Sequence, residues 1–183
     1  MLIYPDAIQT MKEAAPKPIV AASGYFDPIH IGHIEYLEKA KALGSTLVVI
    51  VNAKHQAMLK KGFEFMDENE RIKIVDSLRC VDYVIGAVDT DGTVCKTLEL
   101  VAPDIFAKGG DRFSGEIPES VICRKLGIKI VDGLGGKIQS SSDLTVNKKE
   151  ILDILYHFTL PYKHPTLAQC QQASDLYRKL CGD

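Results

Sequence analysis

No apolar run in this 183-residue chain approaches the roughly 18 residues that a membrane-crossing helix needs, so no membrane span is expected. Charge of one sign is also lacking. Twenty-two basic residues stand against 24 acidic ones, and a net charge of −2 provides no basic field for nucleic acid. Cysteine is sparse and irregular: Cys80, Cys95, Cys123, Cys170 and Cys181 are odd in number and form no C-x-x-C pair. That pattern argues against a disulfide framework or a zinc site and predicts a reducing, cytoplasmic setting. The opening stretch, "MLIYPDAIQTMKEAAPKP", has neither a basic start nor a continuous apolar region, so it does not read as a secretory signal. There is no internal repeat and no low-complexity tract. What remains is ordinary globular material, 46% apolar and 25% charged, of a length that suits one domain with a sizeable core.

Short apolar runs alternate with helical patterns. "PIVAASGYF" (18–26) reads as a buried strand ended by Gly and Asp-Pro, and "TLVVIVNA" (46–53) as a second, rich in β-branched residues. "DYVIGAV" (82–88), "DIFAKGGD" (104–111) and "IKIVDG" (128–133) complete five strands. Between them, "HIEYLEKAKAL" puts Ile34, Leu37 and Ala40 on one helical face. "MDENERIKIVDSLRCV" opens with Asp67 and Glu70 in a capping-box spacing. "TVCKTLELV", "IPESVICRKLG" and "SSDLTVNKKEILDILYHF" supply further helices. The predicted fold is α/β: a Rossmann-like, doubly wound, five-stranded parallel sheet with helices on both faces. Residues 1–17 are set apart as an N-terminal extension, 18–159 as the domain, and 160–183 as a helical tail with Leu167, Cys170, Ala173, Leu176 and Leu180 roughly on one face.

Ligands of such sheets sit beyond the carboxyl ends of the strands, at the topological switch point. The distinctive stretches fall there. "GYFDPIHIGH" (24–33) places His30 and His33 three residues apart on the joint between a strand and a helix. Gly24 would let a phosphate approach the backbone, and the helix after His33 turns its positive end to the same place. The two imidazoles can then aim N–H donors at phosphate oxygens, with Gly32 keeping the space between them open. Such an arrangement suits phosphoryl chemistry in which charge grows on oxygens around phosphorus. Lys60 and Lys61, in what reads as the loop "MLKKG", can reach phosphates as point charges; exposed lysines beside a glycine are also commonplace. Asp27 could position a metal or a substrate phosphate, or hold the turn before Pro28. Arg71 sits in the first turn of a helix, where a cation is mildly disfavoured, which hints at a nearby anion or structural acid. Asp89 and Asp91 read as turn residues and are given no metal.

Together these stretches resemble the cytidylyltransferase-like nucleotidyltransferases, the family marked by an H-x-G-H signature. The resemblance spans residues 18–142. "GYFDPIHIGH" is similar to the signature loop, "ERIKIVDSLRCVDYVI" to the helix and strand that follow the second strand, "AKGGDR" to a K-G-G-D segment, and "IQSSSDL" to a late serine-rich helix start. The branch resembled is that of the heptose-1-phosphate adenylyltransferases and glycerol-3-phosphate cytidylyltransferases. It implies transfer of a nucleoside monophosphate from CTP or ATP to a sugar or polyol phosphate, with Mg2+ and release of pyrophosphate, in a homodimer that binds neither nucleic acid nor membrane. Under it His30, His33 and Lys61 are the candidate catalytic residues. Gly24, Tyr25, Phe26, Asp27, Gly32, Lys60, Gly109, Gly110, Asp111, Ser140, Ser141 and Ser142 are candidate nucleotide contacts. Metal ligands are unassigned. The alternative is a nucleotide-binding or assembly module of the same fold without turnover.

Overall fold

The computed structural model describes residues 1–109 and 117–134. The expectations for Gly110, Asp111, Ser140, Ser141, Ser142, the helix after them and the tail lie outside the described residues.

Five strands form one sheet: β1 (Ile19–Gly24), β2 (Thr46–Val51), β3 (Tyr83–Gly86), β4 (Ile105–Gly109) and β5 (Lys129–Leu134). Every pairing is parallel, and the order is β3-β2-β1-β4-β5. The chain winds outward from β1 to β3, then returns to lay β4 on the other side of β1. The switch point therefore falls between β1 and β4, where Ala22 stands opposite Ala107. β1 and β2 carry apolar side chains on both faces because helices cover both. Ile19, Ala21, Val48 and Ile50 enter one core layer with Phe106, Leu98 and Cys123. Val20, Ala22, Leu47, Val49 and Val51 enter the other with Phe26, Tyr36, Leu37, Ile72 and Val75.

Helix α1 (Ile8–Ala14) belongs to the segment that the sequence set apart as an extension. Residues 1–17 are nevertheless part of the core. Ile3, Ile8, Met11 and Ala15 are buried in the first layer, and the Ile3 amide donates to the Val84 carbonyl (2.8 Å), covering the open edge of β3. Helices α2 (Ile31–Lys41), α4 (Glu68–Asp76), α5 (Cys95–Val101) and α6 (Glu119–Leu126) occur where the helical patterns lie. Helix α3 (Lys54–Lys61) occupies a stretch that reads as a loop. Its buried residues are Gln56 and Ala57, so it presents no apolar stripe to betray it. Among the described residues, no helix is long and apolar enough to cross a membrane.

Candidate active site

The joint between β1 and α2 is built around its histidines. His30, in extended conformation, is the residue before the helix, so α2 starts at Ile31 and not after His33 as the sequence pattern suggests. Gly32 is accordingly a helical residue of the first turn. The rings of His30 and His33 stack, with centroids 3.8 Å apart and planes 28° from parallel. His33 Nδ1 accepts the backbone N–H of His30 (3.3 Å). Burial, then the neighbouring His30, Lys61 and Lys60, hold the His33 pKa down to about 3. A neutral imidazole whose Nδ1 is an acceptor must carry its proton on Nε2. His33 thus offers one N–H donor of fixed identity.

Phe26 shapes the floor of this loop. It is buried, with φ of 51°, a left-handed conformation that a phenylalanine adopts only under constraint. Its ring meets His33 edge-on at 5.1 Å and lies over Gly24. A Cβ on Gly24 would stand 2.8 Å from the Phe26 ring. The glycine is required here by an aromatic ring of the protein itself, a reason that the phosphate reading did not anticipate. Gly109 repeats the device: a Cβ there would come within 2.9 Å of the Tyr36 ring. Tyr36, from α2, donates its hydroxyl to the Ala107 carbonyl (2.7 Å) and accepts the Ser23 amide (3.4 Å). Burial drives its pKa up, so it stays a phenol. One side chain thereby ties the histidine helix to the ends of both strands flanking the switch point.

Lys60 and Lys61 lie in the last turn of α3, not in a loop. Lys60 Nζ sits 4.3 Å from the centre of the Tyr25 ring, a cation–π contact. The nearly buried Lys61 ammonium donates to the Asp27 carbonyl and pairs with its carboxylate at 3.6 Å. Desolvation lowers the Lys61 pKa, opposed by Asp27. Asp27 is itself fully buried, and its two oxygens accept the amides of Phe65 (3.1 Å) and Met66 (2.7 Å). Its carboxylate holds the turn between α3 and α4, the second of the two roles its place before Pro28 offers.

The structure thus gathers His30, His33, Lys60, Lys61, Tyr25, Phe26 and Asp27 around one loop. Gly24 and Gly109 end the two strands beside it. Lys108, named in the sequence only within the K-G-G-D stretch, also lies in β4 but turns towards the other core layer, that of Phe106. Its ammonium lies 3.9 Å from Glu119 and 4.9 Å from the Phe106 ring centre. Tyr36 and Gln56 were not foreseen. Neither belongs to a motif or to the Ile34, Leu37 and Ala40 face that the sequence pattern marks. Gln56 is wholly buried and donates to the carbonyls of Asp91 (2.6 Å) and Thr93 (2.7 Å) while accepting from Asn52 and Ala53. Asp89 is also buried, accepting the Lys96 and Thr97 amides at the start of α5, as a turn-and-cap residue would. Among the described residues, no group of three or more His, Cys, Asp or Glu side chains is placed to hold a metal ion.

The profile of the cytidylyltransferase-like family fits residues 21–163. The chain belongs to that family. Curated relatives include the bifunctional protein HldE of Geobacter metallireducens, 35% identical over 130 residues that make up 70% of this chain and 24% of HldE. The chain therefore spans about a quarter of that relative's length. The FAD synthase of Thermoplasma volcanium is 34% identical over 140 residues, 74% of this chain and 95% of the synthase. Among solved structures, a lipopolysaccharide core biosynthesis protein of Thermoplasma volcanium shares 34% identity with a TM-score of 0.55, covering 64% of this chain and 96% of that one. Pantothenate synthetase of Thermus thermophilus, at 13% identity and a TM-score of 0.55, shares the fold over 99% of this chain and 83% of its own.

Proposed function

We propose that this chain transfers a nucleoside monophosphate from CTP or ATP to a phosphorylated sugar or polyol, in one step. The observation that carries the reading is the stacked His30–His33 pair at the start of α2, with Lys60 and Lys61 beside it. An oxygen of the acceptor phosphate attacks the α-phosphorus in line, the bond from that phosphorus to the bridging oxygen breaks, and pyrophosphate leaves with the electron pair. His33, neutral and protonated on Nε2, donates to an oxygen on which charge grows; His30 lies against it to serve the leaving or transferring oxygens. Lys60 and Lys61 offset triphosphate charge, and the helix start adds its positive end. No side-chain nucleophile is needed.

Mg2+ belongs to this reading as a companion of the triphosphate. The described residues build no cage for it, and Mg2+ in such reactions is held largely by phosphate oxygens and water. No residue is assigned to it and no step is routed through it. A homodimer in the cytoplasm is part of the same reading.

Pyrophosphate release with CTP and with ATP, over a panel of sugar and polyol phosphates, tests the proposal. FMN belongs in the panel: it is a polyol phosphate bearing a flavin, and a relative is named for making FAD. Release that depends on one acceptor and one nucleotide is expected. Nucleotide binding without release for any pair would favour a binding module of the same fold.

A further inference from the structure

Arg71 is the largest fully buried side chain among the described residues. A guanidinium is not buried cheaply, and it needs its donors satisfied. Here four hydrogen bonds meet that need, and they come from three separate parts of the chain. Nη1 donates to the carbonyls of Tyr25 (2.9 Å) and Asn52 (2.7 Å), Nε to the carbonyl of Met66 (3.1 Å), and Nη2 to the carboxylate of Glu64 (2.8 Å). Tyr25 belongs to the histidine loop, Asn52 follows β2, and Glu64 and Met66 form the turn between α3 and α4. None of these four bonds goes to a histidine. Its bond to Tyr25 acts on the peptide immediately before Phe26, the residue held in the left-handed conformation. The Phe26 ring in turn walls His33. On the other side, the Glu64–Met66 turn is the one that Asp27 grips, and Asp27 also holds Lys61.

We infer that Arg71 is a positioning residue: by binding the Tyr25, Asn52 and Met66 carbonyls at once, it fixes the Phe26 turn and so sets His33 and Lys61 in a single arrangement. The functional half of this inference rests on the proposed transfer reaction; the structural half does not. A planar fork with five donors can span the three carbonyls and a carboxylate together, whereas a lysine, with the same charge, can satisfy only part of the set. The role is therefore separable from charge.

The test uses the full chain and needs no substrate in its first arm. Imidazole resonances are followed from pH 8 to pH 4 in the wild type and in Arg71→Lys, with His33→Gln to assign the signal. In the wild type His33 should not protonate in this range, because burial and the adjacent His30, Lys60 and Lys61 oppose it. In Arg71→Lys, with the positive charge retained, His33 should titrate within it, a rise of about one unit or more towards its ordinary value. If Arg71→Lys does not fold, the double variant Glu64→Gln with Arg71→Met removes the buried pair together, a change that folded proteins commonly tolerate; it should show the same shift. A folded variant in which His33 stays silent above pH 4 overturns the inference. In the second arm, kcat with the best substrate pair should fall about tenfold while the nucleotide KM changes less than about threefold. A shifted titration with unchanged kcat would overturn the functional half. A shifted titration in a protein that turns over no member of the panel would count against the transfer reaction and leave the positioning role standing.

Discussion

The two ends of the same parallel sheet are treated in opposite ways. At the amino end, aspartates meet the strand amides that have no strand partner: Asp104 accepts the Ile19 amide (2.7 Å) and Asp82 the Leu47 amide (2.7 Å), with Lys17 and Lys41 as counter-ions. Each carboxylate there has found its donor, and nothing converges on a common point. At the carboxyl end, the side chains gathered at the β1–α2 joint are two stacked imidazoles and the ammonium groups of Lys60 and Lys61. The one carboxylate in the histidine loop, Asp27, is drawn inwards to amides and to Lys61. Parallel strands present carbonyls at one end and amides at the other, so both ends need capping. One end is closed by local bonds. The other brings imidazoles and ammonium groups together at one joint, a local excess of positive charge and N–H donors that favours an anion.

The contrast is broken most severely at the histidines. Replacing His30 or His33 with Ala should lower turnover by a factor of about a hundred or more, with the fold retained. Kinetics alongside circular dichroism check this, and near wild-type turnover would remove that residue from the chemistry. At the opposite end, Asp104→Ala should do the reverse. It strips the partner from the amide of the buried Ile19, so urea unfolding should show a loss of about 1–3 kcal/mol while turnover at 25 °C is unchanged. A fall in kcat without loss of stability would mean that the two ends are not functionally distinct.

A third expectation concerns pH. His33 binds its proton near pH 3 in the folded chain and near 6.5 when unfolded. Between those values the unfolded state holds more protons, so stability should decline as pH falls from about 6.5 towards 3. Carboxylates contribute over part of the same range, so the measurement is the difference between the wild type and His33→Gln in denaturant midpoint across it. The variant should lose less on acidification; equal slopes would show that His33 is not buried as a neutral group. The smallest effect is expected at Lys60. Lys60 is an exposed point charge beside the Tyr25 ring, so Lys60→Ala should raise the nucleotide KM a few-fold and leave kcat nearly unchanged. A kcat loss as large as that of the histidine variants would move Lys60 into the chemical step.

Much of this was legible along the chain because its causes are local. β-Branched runs such as "TLVVIV" commit to buried strands, helical spacing commits Leu37 and Ala40 to one face, and their alternation commits the chain to a parallel sheet. The pair of histidines could be placed at a strand–helix joint for the same reason. Asp89 could be read as a turn residue because its partners, the Lys96 and Thr97 amides, lie seven and eight positions away. Helix α3 leaves no mark in the sequence because its inward face is a glutamine and an alanine, which carry no apolar signal.

Other features arise from partners distant in the chain, and no local pattern encodes them. Asp27 is as buried as Asp89, yet its amide partners lie 38 and 39 residues away, and only the folded chain shows that it clamps the turn between α3 and α4. Arg71 betrays an anion nearby by its position in a helix, but the Tyr25 carbonyl that gives it a role is 46 residues off. Gly24 is a glycine in any reading; that the intruding group is the Phe26 ring depends on a backbone turn held from elsewhere. Residues 1–17 carry no continuous apolar run to announce a core element, and Ile3, Ile8, Met11 and Ala15 join the core because an open sheet edge and a sheet face are there to receive them. Secondary structure and the identity of the reactive side chains follow from short-range propensity and chemistry. The aim of those side chains, and the protonation state of His33, follow from which distant groups the packed sheet brings against them.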